Sequence, residues 1–208
     1  MALITNYATL QTAIADWLAR DDLTTFLPNF TQNAEARLYR DLRIRAMETA
    51  LSGTIASGVL AVPSTYVELK YAYVNTAPIT WLRRQPPEFI YSRYPVRSGS
   101  AEIPKFIARE ASNFIFGPYP GDYDVVGIYY ARLTSLDGTT NTTNWFTTNA
   151  PDVLLYGSLV AAEPFIKNDP RLPMWKMLYD EAIASIKEEE RRESRSGSTP
   201  RTYYDGAA

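Results

Sequence analysis

Residues 9–48 read TLQTAIADWLARDDLTTFLPNFTQNAEARLYRDLRIRAME. This stretch decides the fold class, because it writes two amphipathic helices in succession and the helical pattern then ends. Leu10, Ile14, Trp17 and Leu18 fall at i, i+4, i+7 and i+8, and the spacing predicts a helix over 9–19. Asn6 or Thr9 is placed to cap it. Asp21-Asp22-Leu23-Thr24-Thr25 breaks the pattern. A second helix is predicted from Pro28 or Phe30 to about Met47. Pro28 suits a first turn, and Phe30, Ala34, Leu38 and Leu42 recur every four residues. Its other faces carry Glu35, Arg37, Arg40, Asp41, Arg43 and Arg45. Two readings of those arginines stay open. They are a solvated face with local ion pairs to Glu35 and Asp41, or a row facing another subunit, where arginine is over-used.

From Thr49 the texture changes to small, β-branched and aromatic residues. Two short strands around a turn are expected over 51–62, with Gly53 and Gly58 in the stretch. Further strands are expected at 66–74 (YVELKYAYV), 79–83, 105–109, 113–116 and 123–132, with a short helix at 88–94 opened by Pro86-Pro87. Gly117-Pro118-Tyr119-Pro120-Gly121 is a turn signal. Residues 136–150 read as a polar loop holding Trp145-Phe146, either a surface excursion pinned by one buried Trp or a contact loop. Helices return at 151–166, starting from Pro151-Asp152, and at 172–193. In the latter, Trp175, Leu178, Tyr179, Ala182, Ile183 and Ile186 hold helical spacing. Its end, KEEERRESR, is polar all round and should project from the core. The Ser-, Gly- and Arg-containing segment 194–208 is expected to lack fixed structure alone.

Helices, then strands, then helices argue α+β. The expected architecture is a helical bundle of N- and C-terminal helices (1–48 and 151–193), an inserted antiparallel β region (49–150) and an extended C-terminal tail (194–208). No repeat at a solenoid period is present.

Composition narrows the function classes. The chain has 208 residues, 46% of them hydrophobic and 21% charged, as in an ordinary globular protein. It has no Cys and no His, which removes disulfides, thiolate sites and the commonest general base and metal ligand. Neither a Ser-x-x-Lys, a Gly-x-Ser-x-Gly, a Walker-type loop nor a dinucleotide fingerprint occurs. Asp122 and Asp124 flank Tyr123 in a turn but lack a third acidic ligand nearby. No catalytic residue, metal or cofactor is therefore expected. The net charge of −2, with arginines interspersed among acids, gives no basic stripe for reading nucleic acid. No apolar run approaches the roughly 18 residues of a membrane span, and the first twenty residues carry Asp16 without a basic n-region, so no signal peptide is expected. Many of the 15 Tyr must be core, and such amphipathic rings are also favoured at protein interfaces.

The text of 9–48, followed by LAVPSTYVELKYAYV at 60–74, resembles the head-to-tail adaptor (connector) proteins of short-tailed bacteriophages. The resemblance is carried by the Leu10–Trp17 helix, the acidic turn at Asp21-Asp22, Ala34-Glu35-Ala36-Arg37-Leu38, the Pro63-x-x-Tyr66 entry to a strand and the C-terminal helix pair from Pro151. It implies a structural virion protein at the head–tail interface, assembled in the host cytoplasm. It implies a homo-oligomeric ring of twelve copies between the portal protein and a tail nozzle or tail-tube protein. Double-stranded DNA would pass through the lumen without sequence-specific binding, and no membrane is involved. Carried onto this sequence, Arg195, Arg201, Tyr203 and Tyr204 are candidate portal contacts, against a dispensable solvated terminus. Arg37, Arg40, Arg43, Trp145 and Phe146 are candidate contacts with a neighbouring subunit or tail component. The alternatives are another tail-tube or tail-completion protein, or a small-ligand enzyme domain.

Overall fold

The computed structural model describes residues 3–195, apart from 21, 100, 167 and 168. In chain order its elements are α1 (Tyr7–Leu18), α2 (Leu27–Asp41), β1 (Glu48–Thr54), β2 (Val59–Ala61), β3 (Tyr66–Val74), β4 (Thr80–Trp81), β5 (Arg83–Arg84), α3 (Pro87–Arg93), β6 (Phe106–Glu110), β7 (Asn113–Gly117), β8 (Asp124–Ala131), α4 (Trp145–Asn149), α5 (Pro151–Ile166) and α6 (Leu172–Arg195). The fold is α+β. Two compact units divide it: 1–46 with 133–208, and 47–132. Residues 133–150 thus lie in the helical unit, and the divisions fall at 46/47 and 132/133 rather than at 48/49 and 150/151.

In the helical unit, α1, α2 and α6 each pack against α5. That central place explains why α5 buries residues on every side, Val153, Leu154, Leu155, Gly157, Ser158, Leu159 and Ala162 among them. Gly157 lets the helices close in, since a Cβ there would stand 3.1 Å from Ala34 Cβ and 3.2 Å from the Tyr179 ring. Both cap candidates of α1 are used. The Asn6 side chain accepts from Thr9 N–H at 3.0 Å, and Thr9 Oγ1 accepts from Asn6 N–H at 3.0 Å, a reciprocal capping box. Ala19, at φ 53°, ends the helix in the left-handed conformation.

The second helix stops at Asp41, short of Met47, because Leu42 turns extended and a single 3-10 turn, Arg45–Met47, follows. Leu42, Ile44 and Met47 stay buried all the same. The apolar recurrence outlasts the helix, and no Gly or Pro marks its end. The turn before α6 is fixed by Arg171, which pairs with Asp169 at 2.8 Å, donates to the Trp17 carbonyl at 2.9 Å and lies over the Trp175 ring at 4.9 Å.

The β unit has two four-stranded sheets, β1-β8-β3-β4 and β2-β7-β6-β5. Leu51, Leu69, Ala72, Val74, Val125 and Tyr129 of the first share a core with Ile107, Phe114 and Phe116 of the second. α3 covers the far side of the second sheet, where Ile90 packs with Ala108 and Ile115. The expected two-strand stretch 51–62 divides between the sheets: β1 pairs with β8 and β2 with β7. The expected strand 79–83 divides likewise into β4 and β5. The named pairings are antiparallel except β5 with β6, which is parallel, so the β region is mixed rather than purely antiparallel.

Candidate functional site

The arginines of the second helix have separate tasks. Arg37 is half-buried, with its guanidinium 4.5 Å from the centre of the Tyr179 ring and 3.6 Å from Asp41. Tyr179 closes the triangle by donating its hydroxyl to Asp41 at 3.0 Å, and burial with the nearby carboxylate pushes that hydroxyl's pKa up. Arg37 therefore fastens α2 to α6. Arg43, just past α2, donates to the carbonyls of Tyr39 (2.8 Å) and Leu42 (2.7 Å), the orphan acceptors of a helix C-terminus. Arg40 is exposed and has no ion-pair partner among the described residues. The row does not stand as one surface: Arg37 ties α2 to α6, Arg43 caps the end of α2, and Arg40 and Arg45 are exposed.

One of the two readings of that helix puts Glu35 in solvated ion pairs. It is 2% exposed, and none of the described cations pairs with it. The buried positions of α2 form two ridges, Leu27–Thr31–Glu35–Tyr39 and Phe30–Ala34–Leu38, of which the four-residue recurrence of apolar residues reveals only the second. The Glu35 carboxylate accepts from Leu136 N–H and from the Asn144 side chain, both at 3.1 Å. Burial raises its pKa to about 7 against those hydrogen bonds. It thereby holds down the polar segment 133–144. The segment's own turn is built on Asp137, whose carboxylate accepts backbone N–H groups from Thr139, Thr140 and Asn141 and is held down to about 2 by them. The Thr142 carbonyl accepts from Tyr7 N–H at 2.7 Å, tying the segment to α1.

Asn144 has a second role. Its Oδ1 accepts from Thr147 N–H at 3.1 Å and Thr147 Oγ1 accepts from Asn144 N–H at 2.9 Å, so a capping box opens α4 inside the expected loop. This short helix separates its two aromatics. Phe146 is fully buried, 6.5 Å from the Tyr39 ring, and belongs to the core rather than to a contact surface. Trp145 stays half-buried, edge-on to Phe146 at 5.3 Å. It walls a groove of about 440 Å³ with Arg45, Asn149, Ile186 and Glu190. Across that groove Glu190 accepts from Arg45 N–H at 2.9 Å, and Glu193 pairs with Arg45 at 3.4 Å.

α6 runs on through Ser194 to Arg195, so the first two residues of the expected tail are helical. Arg201, Tyr203 and Tyr204 lie outside the described residues. Among the described residues, no group of three or more acidic side chains could hold a metal ion, and no helix is long and apolar enough to cross a membrane. Asp124 instead accepts the Thr54 hydroxyl at 2.6 Å, a strand-to-strand bond. No curated protein matches the chain. The SU10 adaptor protein family matches residues 5–202, which takes in both helical segments, the whole β unit and most of the C-terminal segment. That match agrees with the adaptor resemblance of the N-terminal text, and the chain belongs to the SU10 adaptor protein family.

Proposed function

We propose that the chain is a non-catalytic phage structural protein that assembles into a ring, twelve copies by resemblance, joining the portal to the tail. The observation that carries this reading is the family match over residues 5–202. In this reading the helices act as a bundle that meets the portal and neighbouring subunits, and the β unit serves the tail side. Exposed Arg40 and half-buried Trp145 are the contact candidates that the fold leaves available. Arg195, Arg201, Tyr203 and Tyr204 are the proposed portal anchor. Contacts repeated around a ring add up to a firm joint even where each one is modest. DNA passes through the lumen without tight binding, as the net charge of −2 favours.

Purified chain mixed with its portal should give twelve-fold rings seated on portal particles in electron micrographs. Chain that never joins portal particles at high concentration would overturn the proposal. Trp145→Ala should leave the fold intact and reduce ring yield by roughly tenfold, the cost of about 1.4 kcal/mol at an interface.

A further inference from the structure

The β unit carries a slot that the ring proposal does not use. Its floor is apolar: Leu69 of β3 and Phe114 of β7 are buried, and the Tyr66 ring stands edge-on to Phe114 at 5.4 Å. Arg84, Gln85 and Arg109 complete its wall around a cavity of about 90 Å³. The strand register explains why two arginines meet there. Arg84 lies opposite Ile107 in the parallel β5–β6 pair, and Arg109 follows Ile107 by two residues, so both project from one face. β5 is an edge strand, which leaves the mouth open to an approaching chain.

Neither arginine uses its full donor set. The Arg109 guanidinium lies over Tyr66 at 5.0 Å, and its Nε donates to the Ala111 carbonyl at 3.4 Å. Its two terminal nitrogens have no hydrogen-bond partner among the described residues. Arg84 stands 3.6 Å from Glu68, a charge contact longer than a hydrogen bond. Stacking on Tyr66 accounts for Arg109, and the Glu68 contact for one side of Arg84; neither explains the hollow that the two arginines and Gln85 line. A nucleic-acid phosphate would use the two charges but gain nothing from the apolar floor. A glutamate side chain uses both, with methylenes for the floor and a carboxylate for the paired guanidinium forks.

The geometry points to this slot as a socket for one glutamate side chain of a partner protein, its methylenes on Leu69 and Phe114 and its carboxylate between Arg84 and Arg109. Exposed Arg83 beside the mouth adds attraction for an acidic segment. The socket is independent of ring formation and would serve any partner that presents an acidic strand to this edge.

The test titrates the full chain at low salt with N-acetylglutamate amide, sodium acetate, inorganic phosphate and a short DNA duplex, reading the arginine Nε–Hε signals by NMR. N-acetylglutamate amide should shift the Arg84 and Arg109 signals together and bind about fivefold more tightly than acetate, which lacks the stem. Arg109→Gln should weaken that binding about tenfold, as loss of a charge-assisted hydrogen bond does. Arg84→Gln should act alike if the Arg109 variant fails to fold. Equal affinity for acetate and N-acetylglutamate amide would overturn the socket, as would the absence of any shift. Tighter binding of phosphate or duplex than of N-acetylglutamate amide would replace it with a nucleic-acid contact.

Discussion

Glu35 is a carboxyl group buried on a helix face with only neutral donors to hold it. Its pKa in the folded chain, about 7, lies above its ordinary value of 4.5. The folded state therefore binds more protons than the unfolded one between those two values. Its stabilising contribution is complete below about pH 4.5 and is lost as pH rises through 7, by about 3 kcal/mol across the window. Glu188 and Asp137 have lowered pKa values and act with the opposite sign at lower pH, their contributions being lost as pH falls toward 2. Thermal melts should show the native chain losing stability from pH 5 to pH 8, and Glu35→Gln removing most of that loss. A native chain equally stable at both values would contradict the burial argument. The same residue shows the limit of reading side by side with the sequence. Glu35 looks like a surface acid because Arg37 and Arg40 flank it, yet it continues the ridge of Leu27, Thr31 and Tyr39. The sequence offers one buried Trp or a contact loop at Trp145-Phe146; the ring that goes inside is Phe146, as set by α4, whose capping box at Asn144 and Thr147 the sequence does contain.

Elements whose signals are local follow the sequence pattern. β3 and α5 run over the expected residues, and the stripe of α6 is buried from Trp175 to Ile186, with Leu178 half-buried. Trp175 is fully buried between Arg171 and the core, so Trp175→Ala should destabilise the helical unit by about 3–5 kcal/mol in denaturant unfolding. A change under about 1 kcal/mol would mean that the site collapses around the smaller side chain. What the sequence leaves open is pairing. β1 and β2 are adjacent in the chain but take partners in different sheets, because β8 and β7 arrive from far along it. Gly127 records the same non-local constraint. It faces Ala72 where β3 shifts register between Leu69 and Tyr71, and a Cβ there would meet the Tyr71 carbonyl and stand 2.8 Å from Ala72 Cα. Gly127→Ala should cost about 1–3 kcal/mol by forcing β8 away from β3, as overpacking does. Gly121→Ala, in a turn with its nearest neighbour at 3.1 Å, should cost less in the same melts.

At the scale of the molecule, an α+β chain with helices at both ends and strands between was legible, and the lines of division were not. Residues 133–150 look like a loop closing the β region, but their anchors, Glu35 and Tyr7, sit early in the chain on the helical side. The β unit, 47–132, is continuous in sequence and has its own closed core, with one sheet face against the other and α3 over the second. A fragment spanning 47–132 should therefore fold alone and unfold cooperatively, with dispersed amide signals and a sigmoidal melt. The helical unit is drawn from both ends of the chain, so neither 1–46 nor 133–208 should fold by itself, while the two joined by a short Gly-Ser linker should. A disordered 47–132 fragment would mean that the units stabilise each other in one cooperative transition. The fragments also separate the two partner proposals. If the Arg84–Arg109 socket acts independently, 47–132 should bind N-acetylglutamate amide as the full chain does and should not attach to portal particles. Portal attachment should instead follow the helical unit and fall when residues 194–208 are removed. Attachment unchanged by that truncation would assign the joint to the helices and dismiss the C-terminal anchor.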